Sequence, residues 1–174
     1  RKQQYADGGG RTILSKNASF SSWLPWLRDQ LPDARVVACM RPASQTVPSM
    51  LSTADQALAG FAARRKGDAA HGELISCMAG HYDALRRERE MEDTRLFVCA
   101  IGDLKHRLPE SLRQLSAHLE IDFSPGFRQK IDEMGERSRR HRSQHQYCAA
   151  DFGLDPEALD AQIPMLSSDV ESSD

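Results

Sequence analysis

The stretch from Arg35 to Ser49 reads Arg-Val-Val-Ala-Cys-Met-Arg-Pro-Ala-Ser-Gln-Thr-Val-Pro-Ser, and it limits the fold more tightly than any other. Its almost continuously apolar start, Arg35 to Met40, has the pattern of a buried parallel strand. Arg41 ends that run and Pro42 turns the chain. A second run of the same kind, Leu96 to Ile101, comes much later. Between them lie helical patterns. One spans about Val47 to Ala63, with Pro48 suited to an early helical position. After a break at Arg64-Arg65-Lys66-Gly67-Asp68, another spans about Ala70 to Glu92, with Leu74, Cys77, Met78, His81, Tyr82 and Leu85 on one side. Strands alternating with helices predict a parallel α/β layer fold.

Open α/β sheets bind ligands outside the carboxyl ends of their strands, and this is where Arg41 is delivered. A guanidinium is a fixed fork of donors suited to phosphate. Ser49 adds a hydroxyl near the start of the following helix, where free backbone N–H groups also favour an anion. Arg41 with Ser49 therefore has the makings of a phosphate clamp. The same residues also suit an ordinary strand–turn–helix with a solvated arginine.

Elsewhere the patterns are mostly helical. Thr12 to Ser15 reads as a short strand ending on Lys16, after a helix end at Arg1–Asp7 and the break Gly8-Gly9-Gly10. Ser22 to Leu31 forms an amphipathic helix closed by Pro32. Leu108, Leu112, Leu115 and Leu119 mark another, followed by helices over about Pro125–Arg140 and Asp155–Gln162. Residues 1–166 suit one domain, and the acidic, serine-rich 167–174 suit a disordered tail.

A net charge of −2 argues against wholesale electrostatic binding to nucleic acid or anionic lipid. No run within these residues is long enough to span a membrane, and none of them forms an apolar signal segment before a small-residue cleavage site. Cys39, Cys77, Cys99 and Cys148 form no CxxC pair. Cys39 and Cys99 lie in the strand runs and read as buried thiols, although a disulfide between neighbouring strands stays open. Cys77 and His81 have a metal-compatible spacing but lack further ligands, so no metal is expected.

Several segments together resemble the sulfotransferase family. They are Leu14-Ser15-Lys16-Asn17, Leu31-Pro32-Asp33-Ala34-Arg35, Arg41-Pro42, Pro48-Ser49, the run Ser138 to Tyr147, and Asp151-Phe152-Gly153-Leu154. The resemblance covers nearly the whole chain. It implies an incomplete three-layer parallel sheet of the P-loop nucleoside triphosphate hydrolase type, with a helical carboxyl-terminal portion. It also implies transfer of a sulfuryl group from 3′-phosphoadenosine-5′-phosphosulfate to a hydroxyl or amine of a small-molecule or carbohydrate acceptor. By position, Arg41 and Ser49 would bind the 3′-phosphate, and Lys16 would approach the sulfuryl group as the catalytic cation. Arg142, Ser143 and His145 would contribute to a lid on the donor side.

The departures are equally specific. No GxxxxGK[ST] loop occurs to hold the 5′-phosphosulfate, which leads to the expectation that this chain is the carboxyl part of a longer protein. Asn17, Ala18, Ser19 and Phe20 replace the histidine that often follows the Lys16 position, and none of them serves as a base at neutral pH. Ile101-Gly102-Asp103 keeps only the acidic member of an aromatic-acidic pair. The base is then left among upstream sequence, His71, His81 and Asp103. A non-catalytic relative that binds a nucleotide or a partner protein is the competing reading, and a sheet lacking a strand leaves room for self-association. The cysteines favour the cytoplasm, while a Golgi enzyme would carry its anchor upstream.

Overall fold

The computed structural model describes residues 13–60, 68–91, 95–140 and 147–170. Strands β1 (Val36–Met40) and β2 (Leu96–Ala100) run parallel, with Val36 opposite Leu96 and Met40 opposite Ala100. A parallel pair needs a long crossover. Helices α2 (Ala43–Gly60) and α3 (Asp68–Glu90) supply it, after a preceding 3₁₀ turn, Ala18–Trp23, and helix α1 (Leu24–Gln30). Beyond β2 come α4 (Ile101–His106), α5 (Leu108–Leu119), α6 (Pro125–Arg140), a 3₁₀ turn at Ala149–Phe152, and α7 (Pro156–Gln162). The molecule is thus mixed α/β and mainly helical, with a two-stranded parallel sheet among the described residues.

One face of the sheet carries the main core. Ala38 and Met40 of β1 and Leu96 and Val98 of β2 pack with Val47 and Leu51 of α2, Tyr82 and Leu85 of α3, and Leu159 and Ile163 at α7. On the other face, Phe97 and Cys99 of β2 lie beneath Leu104, Leu115 and Val170. The corresponding face of β1 is open, with Val37 36% exposed and Cys39 exposed. The continuous apolar run of β1 had suggested burial on both sides; only alternate residues are covered.

Several other expectations change. Thr12 lies outside the described residues, and Ile13–Asn17 have no regular structure, with Leu14 94% exposed. That apolar run is very short and, among the described residues, meets no neighbouring strand. Asn17 instead caps the 3₁₀ turn, its Oδ1 accepting from the Ser19 amide at 3.0 Å. Helix α2 starts at Ala43 rather than near Val47, because Asp160 of α7 caps it: the carboxylate accepts from the Ser44 amide at 2.8 Å and from Ser44 Oγ at 2.7 Å. Pro48 consequently lies inside the helix. There its missing N–H costs one bond to the Ser44 carbonyl.

The expected disordered tail docks over part of its length, while residues 171–174 lie outside the described residues. The Asp169 amide donates to the Val98 carbonyl at 2.8 Å, and the Val98 amide donates to the Asp169 carboxylate at 2.7 Å. Val170 is buried. Helices whose signals are local end where expected. Helix α6 matches its predicted span, and α7 begins with Pro156 behind an Asp155 cap that accepts from the Glu157 amide at 2.9 Å.

Candidate functional site at the carboxyl end of β1

Met40 is the last residue of β1 and is buried; Arg41 is exposed, and α2 begins two residues later. Among the described residues the Arg41 guanidinium forms no ion pair. Its backbone, by contrast, is held firmly. The Tyr82 hydroxyl, on α3, donates to the Arg41 carbonyl at 2.6 Å. Thr46 Oγ1 donates to the Pro42 carbonyl at 3.1 Å and lies 3.2 Å from the Tyr82 hydroxyl. Burial pushes the Tyr82 phenol above its ordinary value; Thr46 and the Arg41 charge oppose that rise, and Asp160 adds to it. Arg41, Ser44, Thr46, Tyr82 and Asp160 thus converge from β1, α2, α3 and α7.

Ser49 lies in the second turn of α2, half-buried, and its carbonyl accepts from Thr53 Oγ1 at 2.9 Å. At ~1.5 Å rise per residue it sits about 9 Å along the axis from Ala43. Its expected position beside free N–H groups at the helix start is therefore corrected. The Ser44 amide there is already bonded to Asp160, an anion that the chain itself supplies. Lys16 is exposed in the irregular segment before the 3₁₀ turn and does not end a strand. Arg142, Ser143 and His145 lie outside the described residues.

The candidate bases differ in surroundings. His71 Nε2 is 3.0 Å from Asp55 Oδ1, and its ring meets Phe152 edge-on at 5.7 Å. Asp55 is twelve residues beyond Ala43 on α2, about 18 Å along the helix, so this pair belongs to the opposite end of α2 from Arg41. His81 Nε2 lies 3.8 Å from Cys77 Sγ. Among the described residues no group of three His, Cys, Asp or Glu side chains is arranged to hold a metal. Asp103 lies in the first turn of α4, directly after β2. Burial pushes its carboxyl up, but bonds from Ser168 and Arg107 outweigh that and hold it below the ordinary carboxylate value. It is an ionised, already bonded group, better suited to fixing Arg107, 2.6 Å away, than to taking a proton.

The sequence places Tyr82 only on one side of its helix and assigns no role to Ser44, Thr46 or Asp160. For Tyr82 a signal existed: a tyrosine on an apolar helix face must find a partner for its hydroxyl. For Asp160 none did, since its partner lies 116 positions away. The Phe152-Gly153-Leu154 segment also has a structural task. Gly153 takes φ 66°, which glycine adopts without strain, and ends the 3₁₀ turn that seats Phe152 against His71. No family model matches the chain, and comparison with curated proteins and with solved structures likewise returns no match.

Proposed function

We propose that the chain forms the donor-binding part of a sulfotransferase. It would use 3′-phosphoadenosine-5′-phosphosulfate and a hydroxyl or amine acceptor, on a fold of the P-loop nucleoside triphosphate hydrolase type. The observation that carries this reading is Arg41: an exposed guanidinium, without an ion pair among the described residues, at the carboxyl end of a parallel strand whose next helix starts two residues on. In this reading the Arg41 fork takes the phosphate, and the Ser49 hydroxyl is kept as a second donor from the resemblance alone, since it lies in the second turn of α2. The phosphate does not fit at the α2 N-terminus, which Asp160 occupies.

The donor supplies the sulfuryl group: its bond to the phosphate oxygen breaks as the bond to the acceptor oxygen or nitrogen forms, and the acceptor proton leaves. This chain's part is to bind and orient. Arg41 and Ser49 hold the 3′-phosphate, Arg142, Ser143 and His145 add contacts on the donor side, and Lys16 balances charge at the sulfuryl group. Nucleic acid, membrane and metal have no part in this reading. A second reading, a nucleotide-binding relative without transfer, is favoured by one observation: Lys16 sits in an irregular, exposed segment with no base among the four residues after it.

The test is calorimetry with adenosine 3′,5′-bisphosphate and adenosine 5′-monophosphate. The bisphosphate should bind more tightly. A hydrogen bond to a charged group is worth ~1.5–3 kcal/mol, so Arg41→Ala should weaken bisphosphate binding by roughly tenfold to more than a hundredfold. Equal affinity for the two nucleotides would remove the phosphate clamp.

A further inference from the structure

The link between β1 and α2 is only Arg41 and Pro42. Met40, paired with Ala100, is the last register position of the sheet, so Arg41 lies beyond the ladder. The Pro42 carbonyl belongs to the helix that follows, accepting from the Gln45 and Thr46 amides at 3.1 Å each. The Arg41 carbonyl instead accepts from Tyr82, at 2.6 Å, across 41 positions of sequence. Proline at the next position already confines Arg41 to extended backbone. What remains adjustable is the plane of the Arg41–Pro42 peptide, and the Tyr82 hydroxyl fixes it.

We infer that Tyr82 is a positioning residue for the Arg41 guanidinium, setting the direction in which it leaves β1 and so the place where it meets a 3′-phosphate. This rests on the nucleotide reading above. Tyr82 is 8% exposed and packs with Leu85, Val47 and Leu51 in the main core, where a phenylalanine ring would fill the same space. The hydroxyl is thus not needed for packing. It has to be desolvated and must recover that cost from its partners. Those partners are the Arg41 carbonyl and Thr46 Oγ1, both at the exit of β1. Thr46 Oγ1 has one hydrogen to give, either to the Tyr82 oxygen or to the Pro42 carbonyl, so the two hydroxyls meet where the strand exit and the first turn of α2 face α3. Asp160 closes the arrangement by holding Ser44 from α7. A two-residue link fixed from three helices is preorganised, as a binding group on a rigid element should be.

The experiment compares the wild-type chain with Tyr82→Phe and Arg41→Ala by calorimetry against adenosine 3′,5′-bisphosphate and adenosine 5′-monophosphate, with a thermal melt of each protein. Tyr82→Phe should lower bisphosphate affinity by roughly three- to tenfold, the worth of one hydrogen bond. It should leave monophosphate affinity unchanged and the melt cooperative. A general loss of structure would weaken both nucleotides together, so the ratio of the two affinities isolates the positioning role. If Arg41→Ala abolishes the preference for the bisphosphate and Tyr82→Phe keeps it in full, the clamp stands and the role of Tyr82 is overturned. If the wild type has no preference, or Arg41→Ala keeps it, the clamp fails and the inference about Tyr82 fails with it. Should Tyr82→Phe not fold, Thr46→Val replaces it. A two- to fivefold loss of preference is then expected from the weaker anchor, and an unchanged preference overturns the inference.

Discussion

Cys39 and Cys99 occupy matching register positions on neighbouring strands, yet their surroundings differ. Cys39 lies on the open face of β1 and is exposed; Cys99 is 2% exposed beneath the helices that follow β2. Burial, reinforced by the nearby Cys39 and Asp103, raises the Cys99 thiol to about 11. Since the thiolate is the nucleophile, Cys99 stays protonated and shielded at neutral pH. All four cysteines are free. Titration of the native protein at pH 8 with a thiol-reactive disulfide should therefore modify Cys39, Cys77 and Cys148, and reach Cys99 only on unfolding. Rapid modification of all four thiols in the folded protein would contradict this burial. The run Val-Val-Ala-Cys-Met announced a strand, but not which of its residues would be covered. That depends on elements contributed much later in the chain.

Among the elements, the segment Ser168–Val170 covers the free edge of β2 through both side chains and backbone. On the edge of β2 away from β1, the Val98 amide finds the Asp169 carboxylate and the Ala100 amide finds Ser168 Oγ at 3.3 Å. Arg89 of α3 pairs with the same carboxylate, with one contact at 2.8 Å. Burial pushes the Asp169 carboxyl up, but the bonds from Arg89 and the Val98 amide outweigh it and hold it below the ordinary carboxylate value. A carboxyl depressed by folding contributes stability that is fully present above its unfolded value and is lost as pH falls through the lowered folded value. Docking of this segment should weaken as the pH falls below the ordinary carboxylate range, and Asp169→Asn should remove that part of the pH dependence. Denaturation midpoints of the two proteins would converge at low pH. Curves that stay parallel down to pH 2 would show that Asp169 makes no such contribution.

Legibility in the sequence follows the range of the forces involved at this scale. The leucine spacing of α5 and the Pro156 start of α7 are local, and both were readable. So was the span of α6, including Gly135, where a Cβ would stand 3.0 Å from the Pro109 ring of α5. The α2 start at Ala43 and the docking of Asp169 depend on partners 116 and 71 positions away, respectively, and no local pattern encodes either. For the candidate site, Arg41 was legible because an apolar run ends on it. Of the residues that fix its surroundings, Tyr82 carried a signal in its place on an apolar helix face, while Asp160, 116 positions from Ser44, carried none.

At the scale of the whole molecule, the sheet is, among the described residues, finished on one side and open on the other. The edge of β2 is closed by Ser168 and Asp169, while among the described residues β1 pairs only with β2. The side chains of β1, Val36 to Met40, include no charge, no proline and no lysine. Those are the devices that keep edge strands from pairing with other chains. Val37 and Cys39 add exposed apolar surface on the same strand. We therefore expect a second copy of the chain to associate through β1, around a two-fold axis that lets identical strands face each other. Sedimentation velocity over a hundredfold range of concentration should show an apparent mass that rises above 19.5 kDa as concentration increases. Val37→Lys places a charge on the open face of the strand without touching the covered core, so it should shift the distribution to monomer and leave the melting midpoint nearly unchanged. A wild-type chain that stays monomeric throughout, or a Val37→Lys variant that associates as strongly, would show that β1 does not mediate pairing.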